Sequence, residues 1–354
     1  MIIEDMRKLL SRTISLSQVV LLIVLCACRR DGPIVEEGNI TISGGHQIVI
    51  GCEGNYQFGN ASLSLYQYSN SEITSNLFES VNARKLGDVC QSLTAYEEKI
   101  FAVINNSGKI EVFSRNDFSS MGTIEGLKSP RYCEVVNRNT AFVSDYKANA
   151  VYRIDLNRMK VMDSIAISSW TEGLLAHSGK LYVCGKSSGY LYKIGLESLE
   201  LEDSIALGAG PSGLLLDADD QLWVLCEGNY GDPRPCSLSK VELQNFTIVQ
   251  TYEFPVNQQI AKLNISSDGK ELYYLGAGVF KMSTTTEELP NLPFVDLTGR
   301  NPYGLGIDFS NEQIWVADAK DFISKSSILK FDSTGTLLQE GSGGVNASSF
   351  LFLY

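Results

Sequence analysis

Histidine is almost absent from this sequence of 354 residues, which contains two, His46 and His177. A histidine metal site, a Ser-His-Asp triad and a Cys-His pair each need a histidine beside other reactive groups. We therefore expect a protein that is not an enzyme and that carries no metal and no cofactor. Carboxylate pairs and oxygen ligands for Ca²⁺ stay open, although no spacing favours them.

An excess of positive charge is also missing, since the net charge is −12 at pH 7. Such an acidic chain repels nucleic acid and anionic lipid surfaces, so we expect no nucleic-acid partner. No stretch repeats its apolar residues with the period of a helix, so helices should be few. With 44% hydrophobic and 20% charged residues, the composition is that of a globular protein with a full core.

The N-terminal segment 1–27 has the pattern of an export signal. Three basic residues between positions 7 and 12 precede an apolar run, residues 16–25, that is too short to span a membrane. The run ends in a small residue followed by Cys28, which resembles a bacterial lipobox. We expect Cys28 to be lipidated after cleavage, with a plain secretory signal as the alternative. Residues 28–46 would then form a flexible polar tether.

Six cysteines follow Cys28, and the sequence leaves their state open. They are Cys52, Cys90, Cys133, Cys184, Cys226 and Cys236. An even number in an exported protein permits 15 disulfide pairings, and sequence alone does not choose among them. Reduced cysteines buried as small hydrophobic residues are an equally good interpretation.

A repeat of about 40 to 50 residues organises the rest of the chain. Its marker is a short apolar run, and the seven runs read IVIGC, IFAVI, AFVSD, LYVCG, LWVLC, LYYLG and IWVAD. Alternating strand patterns and hairpin signals follow each run, which predicts an all-β, seven-bladed β-propeller over residues 47–354. The chain starts at a second strand and ends on SSFLFLY. We therefore expect the N- and C-terminal strands to complete one blade and close the ring.

The pentapeptide CEGNY occurs twice, at residues 52–56 and 226–230. Its Gly-Asn pair is a turn signal. Both copies belong to enlarged repeat units, four blades apart, in loops that open on the same face as the loops leading into the innermost strands. They are expected almost opposite each other across the mouth of the channel. Whether the motif contacts a ligand or merely shapes the turn is left open by the sequence.

Several other side chains are predicted to point at the same face and are candidates for ligand binding. The candidate set is Glu53, Asn55, Tyr56, Phe58, Arg131, Tyr146, Trp170, Asn229, Tyr230, Tyr303 and Asp318, with Asp145 and Lys320 beside them. A rim of aromatic and amide groups fits a large, mostly uncharged ligand with polar edges, or a protein partner. Ordinary solvated loops are the alternative for each residue.

The sequence GAGPSG at residues 208–213 matches the dinucleotide-binding fingerprint in form. That fingerprint needs a helix N-terminus for the pyrophosphate, whereas LLLDADDQLWVL follows here and has a strand and turn pattern. We interpret GAGPSG as a loop that enters an inner strand.

Several longer segments together resemble one family. They are SPRY, AFVSDY, TEGLL, PSGLLLDADDQLWVL, LYYLGAGVFKM and YGLGIDFSNEQIWVADAKDF. From about residue 47 to the C-terminus the chain resembles the YncE-like (DUF5074-like) seven-bladed propeller lipoproteins of Bacteroidetes, which include the BtuG-type cobalamin-binding proteins. The resemblance transfers no individual contact residue.

This resemblance implies a lipoprotein of the outer membrane, facing the cell exterior and held there by its lipid anchor alone. It would capture cobalamin or a related corrinoid and pass it to a TonB-dependent transporter, with no chemistry on its ligand. The alternatives are a protein-interaction scaffold of the cell envelope and, third, a Ca²⁺-dependent propeller lactonase.

Overall fold

The computed structural model describes residues 45–354. The predicted signal peptide 1–27, the lipidation site Cys28 and the tether up to residue 44 lie outside the described residues. The described part contains 28 strands in seven four-stranded antiparallel sheets. It also contains one helix, α1 (Leu77–Asn82).

The strands of the first four blades are β1 (Gln47–Cys52), β2 (Ser62–Gln67), β3 (Glu72–Thr74), β4 (Cys90–Tyr96), β5 (Lys99–Ile104), β6 (Lys109–Ser114), β7 (Ser120–Ile124), β8 (Pro130–Asn137), β9 (Thr140–Asp145), β10 (Ala150–Asp155), β11 (Lys160–Ala166), β12 (Thr171–His177), β13 (Lys180–Gly185), β14 (Tyr190–Gly195) and β15 (Leu201–Ala206). The remaining strands are β16 (Pro211–Leu216), β17 (Leu222–Cys226), β18 (Ser237–Glu242), β19 (Thr247–Glu253), β20 (Ala261–Ile265), β21 (Glu271–Leu275), β22 (Gly278–Ser283), β23 (Val295–Asp296), β24 (Pro302–Asp308), β25 (Gln313–Asp318), β26 (Lys325–Phe331), β27 (Leu337–Val345) and β28 (Ala347–Leu353).

The seven sheets are the blades of a propeller. Blade 1 has the strand order β28-β1-β2-β3, and blades 2 to 7 each use four consecutive strands, from β4–β7 to β24–β27. The first strands of neighbouring blades contact one another all round the ring, from β28 to β4 and finally from β24 back to β28. These seven strands are therefore the innermost ones, and they surround the axial channel.

Burial follows the order of the strands within each blade. The second strands, such as β1 and β13, are buried over almost their whole length, because a neighbouring blade covers each of their faces. The fourth strands, such as β11, are mostly exposed. The recurring apolar runs of the sequence are these second strands, and Trp223 and Trp315 within them are fully buried. The core is thus a series of layers between the blades.

The N- and C-terminal strands close the ring in one blade, as predicted. Along the β1–β28 pair, Ile48 lies opposite Phe352 and Ile50 lies opposite Phe350. A polar cluster at the start of β1 joins blade 1 to blade 7. There the Tyr68 hydroxyl donates its hydrogen bond to Asp308, and Gln313 Oε1 lies 3.1 Å from the same hydroxyl. The His46 ring stacks on Tyr68 with 4.0 Å between centroids.

The enlarged first unit places part of its extra chain in helix α1, and the rest belongs to the CEGNY loop. Leu77 and Phe78 of α1 are buried in the core between blades 1 and 2. Within the described residues this is the one helix, which agrees with the expectation of few helices.

The six cysteines of the propeller are free and buried. Burial raises the pKa of Cys226 to about 11 and also raises the pKa values of Cys52, Cys90, Cys133 and Cys184. Of the two possibilities that the sequence left open, the structure has the reduced, buried one. These thiols pack as small hydrophobic groups.

Removal of Ala347–Tyr354 should abolish cooperative unfolding. Without β28, strand β1 loses its inner partner, and the side of β24 that packs on β28 becomes exposed. Thermal unfolding followed by far-ultraviolet circular dichroism measures this. Removal of Tyr354 alone is the control: it deletes the hydrogen bonds from the Phe309 amide and from Arg115, should cost about 2 kcal/mol, and should leave the transition cooperative. A cooperative transition without β28 would contradict the closure.

The raised thiol pKa values predict slow alkylation of the folded protein. The thiolate is the reactive form, and at pH 8 these buried thiols stay protonated. Iodoacetamide labelling with mass-spectrometric mapping should leave Cys52, Cys90, Cys133, Cys184 and Cys226 unmodified in the native protein and modify all five after unfolding in urea. A disulfide-linked peptide pair, or rapid native labelling at any of these five positions, would contradict this description.

Candidate ligand site at the mouth of the channel

Each innermost strand contains a β-bulge near its beginning. Along β4 the pairing with β5 jumps from Cys90 to Ser92, and corresponding jumps occur in the other six innermost strands. In each case one extra residue is accommodated at or next to the second position of the strand. A bulge bends the strand and redirects a side chain.

The second residues of the seven innermost strands form a ring at one end of the channel. We call this the bulge ring, and its members are Gln91, Arg131, Glu172, Ser212, Lys262, Tyr303 and Ser348. All seven line one cavity of about 1220 Å³. Further along the same strands, apolar residues form the floor of the cavity: Leu93, Leu174, Leu214, Leu305 and Phe350. The cavity therefore has a polar entrance above an apolar base.

A fully paired charge cluster occupies the part of the ring in blades 2, 3 and 4. The Arg131 guanidinium donates to both carboxylate oxygens of Glu172, with the shortest distance 2.6 Å, and Nη1 donates to Gln91 Oε1 at 2.5 Å. Burial opposes the charge on Arg131, but the carboxylate of Glu172 outweighs it and raises the pKa of the guanidinium. This pairing fixes three neighbouring ring positions relative to one another.

Trp170 extends this cluster toward blade 5. Its Nε1 donates to Glu172 Oε2 at 2.6 Å, and its ring lies 4.2 Å from the Tyr146 ring. Lys186 Nζ lies 5.4 Å from the Trp170 ring and 3.0 Å from Glu227 Oε2. Burial lowers the pKa of Lys186, but Glu227 and Glu172 outweigh it, so the pKa is raised. The cations and carboxylates alternate, so this wall is close to neutral.

The wall formed by blades 6, 7 and 1 is more loosely connected. The Tyr303 hydroxyl donates to Glu53 Oε2 at 2.9 Å, and the Tyr303 ring packs edge-on against Phe322. Burial, followed by the charge of Glu53, raises the pKa of Tyr303. Lys262 Nζ lies 5.7 Å from the Tyr303 ring. The structure therefore brings Glu53 and Tyr303 together, as well as Arg131, Tyr146 and Trp170.

The two copies of CEGNY make the same backbone contacts. The amides of Glu53 and Gly54 donate to the carbonyls of Asn346 and Val345, just before β28. In the second copy, the amides of Glu227 and Gly228 donate to Gly210 and Ala209, just before β16. Each copy thus ties its loop to the segment that enters the innermost strand of the same blade.

The asparagines of the two motifs also have matching roles. Asn55 Nδ2 donates to the Phe322 carbonyl at 2.7 Å, and Asn229 Nδ2 donates to the Lys186 carbonyl at 2.9 Å. In both cases the acceptor belongs to the corresponding loop of the preceding blade. Gly54 has a φ of +73°, and a Cβ there would lie 2.7 Å from the Asn60 backbone. The motif shapes the turn and joins blades, while its glutamate reaches the cavity.

The aromatic residues of these loops divide into two groups. Tyr56 lines the cavity and is 59% exposed. Phe58 is 76% exposed and Tyr230 is fully exposed, and neither is among the residues that line the cavity. Ligand contacts of Phe58, Tyr230, Asn55 and Asn229 stay a prediction that requires a ligand to reach the loop tips, outside the cavity lining.

Asp318 is buried in the loop backbone rather than exposed to the cavity. Its carboxylate accepts hydrogen bonds from the amides of Asn301 and Lys320 and lies 3.4 Å from Arg300. Asp145, at the same position of blade 3, accepts from the amides of Lys128 and Ser129. An aspartate that ends a second strand therefore holds the loop before the innermost strand, which gives both residues a structural role.

Sequence reasoning did not select five of the seven members of the bulge ring. They are Gln91, Glu172, Ser212, Lys262 and Ser348. Each follows the first residue of an innermost strand, as Ser212 follows Pro211 at the end of the GAGPSG loop. That loop indeed enters an inner strand. The second position of each innermost strand could have been used to predict these residues. The bulge that directs their side chains into the cavity has no marker in the sequence.

Two further properties concern the described part of the chain. Across residues 45–354, no group of three or more His, Cys, Asp and Glu side chains is arranged to hold a metal ion. No helix in this part is long and apolar enough to cross a membrane.

Solved structures of several bacterial proteins share the fold at low sequence identity. A quinonprotein alcohol dehydrogenase-like protein of Bacteroides thetaiotaomicron has a TM-score of 0.69 at 13% identity, covering 86% of this chain and 77% of its own. A putative 6-phosphogluconolactonase of Bacteroides fragilis has a TM-score of 0.67 at 13% identity, covering 87% and 98%. A periplasmic gluconolactonase of Pseudomonas aeruginosa has a TM-score of 0.66 at 13% identity, covering 87% and 99%. These similarities establish the fold alone.

No curated protein matches the chain. A family does match, over residues 46–341, which is almost the whole propeller. Its description is "Domain of unknown function (DUF5074)". The chain is a seven-bladed β-propeller that belongs to the DUF5074 family.

Proposed function

We propose that this protein captures a large ligand in the cavity inside the bulge ring, and that the ligand is cobalamin or a related corrinoid. The observation that carries the proposal is the cavity itself, with its polar ring above an apolar floor and a volume of about 1220 Å³. Pockets for drug-sized ligands have volumes of about 300–1,000 Å³. The space therefore suits a ligand larger than an ordinary metabolite.

The charges of the cavity support a ligand that is mostly uncharged. Although the chain has a net charge of −12, the cavity is lined by four cations and three carboxylates. Arg131 and Lys186 are paired with carboxylates inside the cavity, and Arg300 is paired with Asp318 and Glu340 at its edge. A ligand in the cavity is therefore surrounded by hydrogen-bonding groups whose positive and negative charges nearly cancel. Side-chain amides at a corrin edge are groups of this kind.

Delivery to a TonB-dependent transporter and lipid anchoring at Cys28 complete the proposal. Strand β1 runs toward the CEGNY loop, so Gln47 lies at the face opposite the cavity. A tether attached there leaves the cavity mouth free for a ligand and for the protein that receives it. The exposed Phe58 and Tyr230 on the mouth offer apolar contact area to such a partner.

Lactone hydrolysis is the second candidate, because two of the propellers with this fold are named as lactonases. In the cavity, the groups capable of acid-base catalysis are carboxylates such as Glu53 and Glu172. Both oxygens of Glu172 already accept hydrogen bonds, from Arg131 and Trp170, so neither is free to position a substrate.

A titration with cyanocobalamin tests the proposed function. We expect saturable binding at micromolar protein, seen as a shift of the visible absorption bands and as heat in calorimetry. Absence of binding by both measurements would contradict it, and turnover of a lactone panel without corrinoid binding would favour the second candidate.

Two tyrosine variants make the test specific to the cavity. Tyr56→Ala removes an aromatic group that lines the cavity and should weaken cyanocobalamin binding by roughly tenfold. Tyr230→Ala removes the tyrosine at the matching position of the other CEGNY loop, which does not line the cavity, and should leave affinity within about twofold. Equal losses in both variants would place the ligand across the loop tips instead.

A further inference from the structure

Lys262 differs from every other cation of the cavity in having no carboxylate partner among residues 45–354. Arg131, Lys186 and Arg300 each form ion pairs shorter than 4 Å. Lys262 Nζ instead lies 5.7 Å from the centre of the Tyr303 ring. The side chain lines the cavity and lies in the second position of β20. A positive charge is thus available to a ligand at this point.

The backbone of Lys262 is also unusual. Its φ is +59°, and among the seven members of the bulge ring it alone has a positive φ. A residue with a Cβ is strained in this region, whereas glycine adopts it freely. Such strain persists where the surrounding structure holds it, and it is concentrated at functional sites. The chain keeps a lysine where glycine would fit with less strain.

A second, independent group without a partner lies on the other side of Tyr303. Ser348 is 1% exposed, and its hydroxyl has no hydrogen-bond partner in the described structure. It occupies the second position of β28 and lines the same cavity. A buried hydroxyl without a partner is costly, which points to a group that the site receives from outside. Lys262, Tyr303 and Ser348 are consecutive members of the ring, in blades 6, 7 and 1.

We propose that Lys262 and Ser348 form an anion subsite of the cavity, which takes a singly charged phosphodiester group of the ligand. The inference rests on the proposed function in that the anion is part of the molecule held in the cavity. One unpaired ammonium group matches one negative charge, and the Ser348 hydroxyl donates a hydrogen bond to a phosphate oxygen. The Glu53 carboxylate already accepts the hydrogen bond of the Tyr303 hydroxyl at 2.9 Å. The ligand therefore has a defined orientation, with its anion toward blades 6, 7 and 1.

Two corrinoids that differ in the phosphodiester test this subsite. Cyanocobalamin contains the group, and dicyanocobinamide lacks both it and the nucleotide. For Lys262→Met we expect cyanocobalamin affinity to fall about 10- to 100-fold, while cobinamide affinity stays unchanged. Lys262→Arg should keep most of the affinity. Lys147→Met removes an exposed lysine from the same face, outside the cavity, and should have no effect on either ligand.

Lys262→Gly separates binding from folding. It should raise the melting temperature, because it relieves the strained φ, and it should weaken cyanocobalamin binding as much as Lys262→Met does. Equal cyanocobalamin affinities of the wild type and Lys262→Met would overturn the subsite and leave the proposed function standing.

If neither corrinoid binds the wild type, the proposed function fails, and dimethyl phosphate tests the subsite by itself. Thermal protection of the wild type but not of Lys262→Met, at matched ionic strength, would support the anion subsite. Equal protection of the two proteins would overturn it.

Discussion

The β-bulge at the start of each innermost strand is the constraint on which the cavity depends. A regular antiparallel strand alternates its side chains between the two faces of the blade, and both faces are covered by neighbouring blades. One extra residue breaks this alternation and turns a polar side chain toward the axis. Seven bulges at the same level convert the narrow centre of the propeller into a lined cavity.

The repeated CEGNY sequence serves this arrangement. In both copies the backbone after the cysteine binds the segment that leads into the innermost strand, and the asparagine binds the loop of the preceding blade. The two blades that carry the motif lie on opposite sides of the ring. Each glutamate is held at the cavity mouth by this loop, where Glu53 meets Tyr303 and Glu227 meets Lys186.

The blades, their number, the closure by the two ends of the chain and the face that carries the loops were all predictable. Those features follow from the apolar pattern of second strands such as β13. This pattern is visible in the sequence whatever the exact register of the strand pairing. The bulge ring was not predictable, because Lys262 and Ser348 reach the cavity through a shift of register that leaves no compositional trace. Asp318 was predicted to be a ligand-binding residue on the face that carries the loops. Its carboxylate instead accepts hydrogen bonds from loop amides, which gives it a structural role.

One side of the cavity, from Gln91 through Glu227, consists of paired polar groups, whereas the other side has unpaired polar groups at Lys262 and Ser348. A crystal structure of the protein with cyanocobalamin tests this most directly. We expect ligand density inside the bulge ring, with the phosphodiester beside Lys262 and the corrin above the apolar floor. Ligand density on the opposite face of the propeller, or on the loop tips with an empty ring, would contradict it.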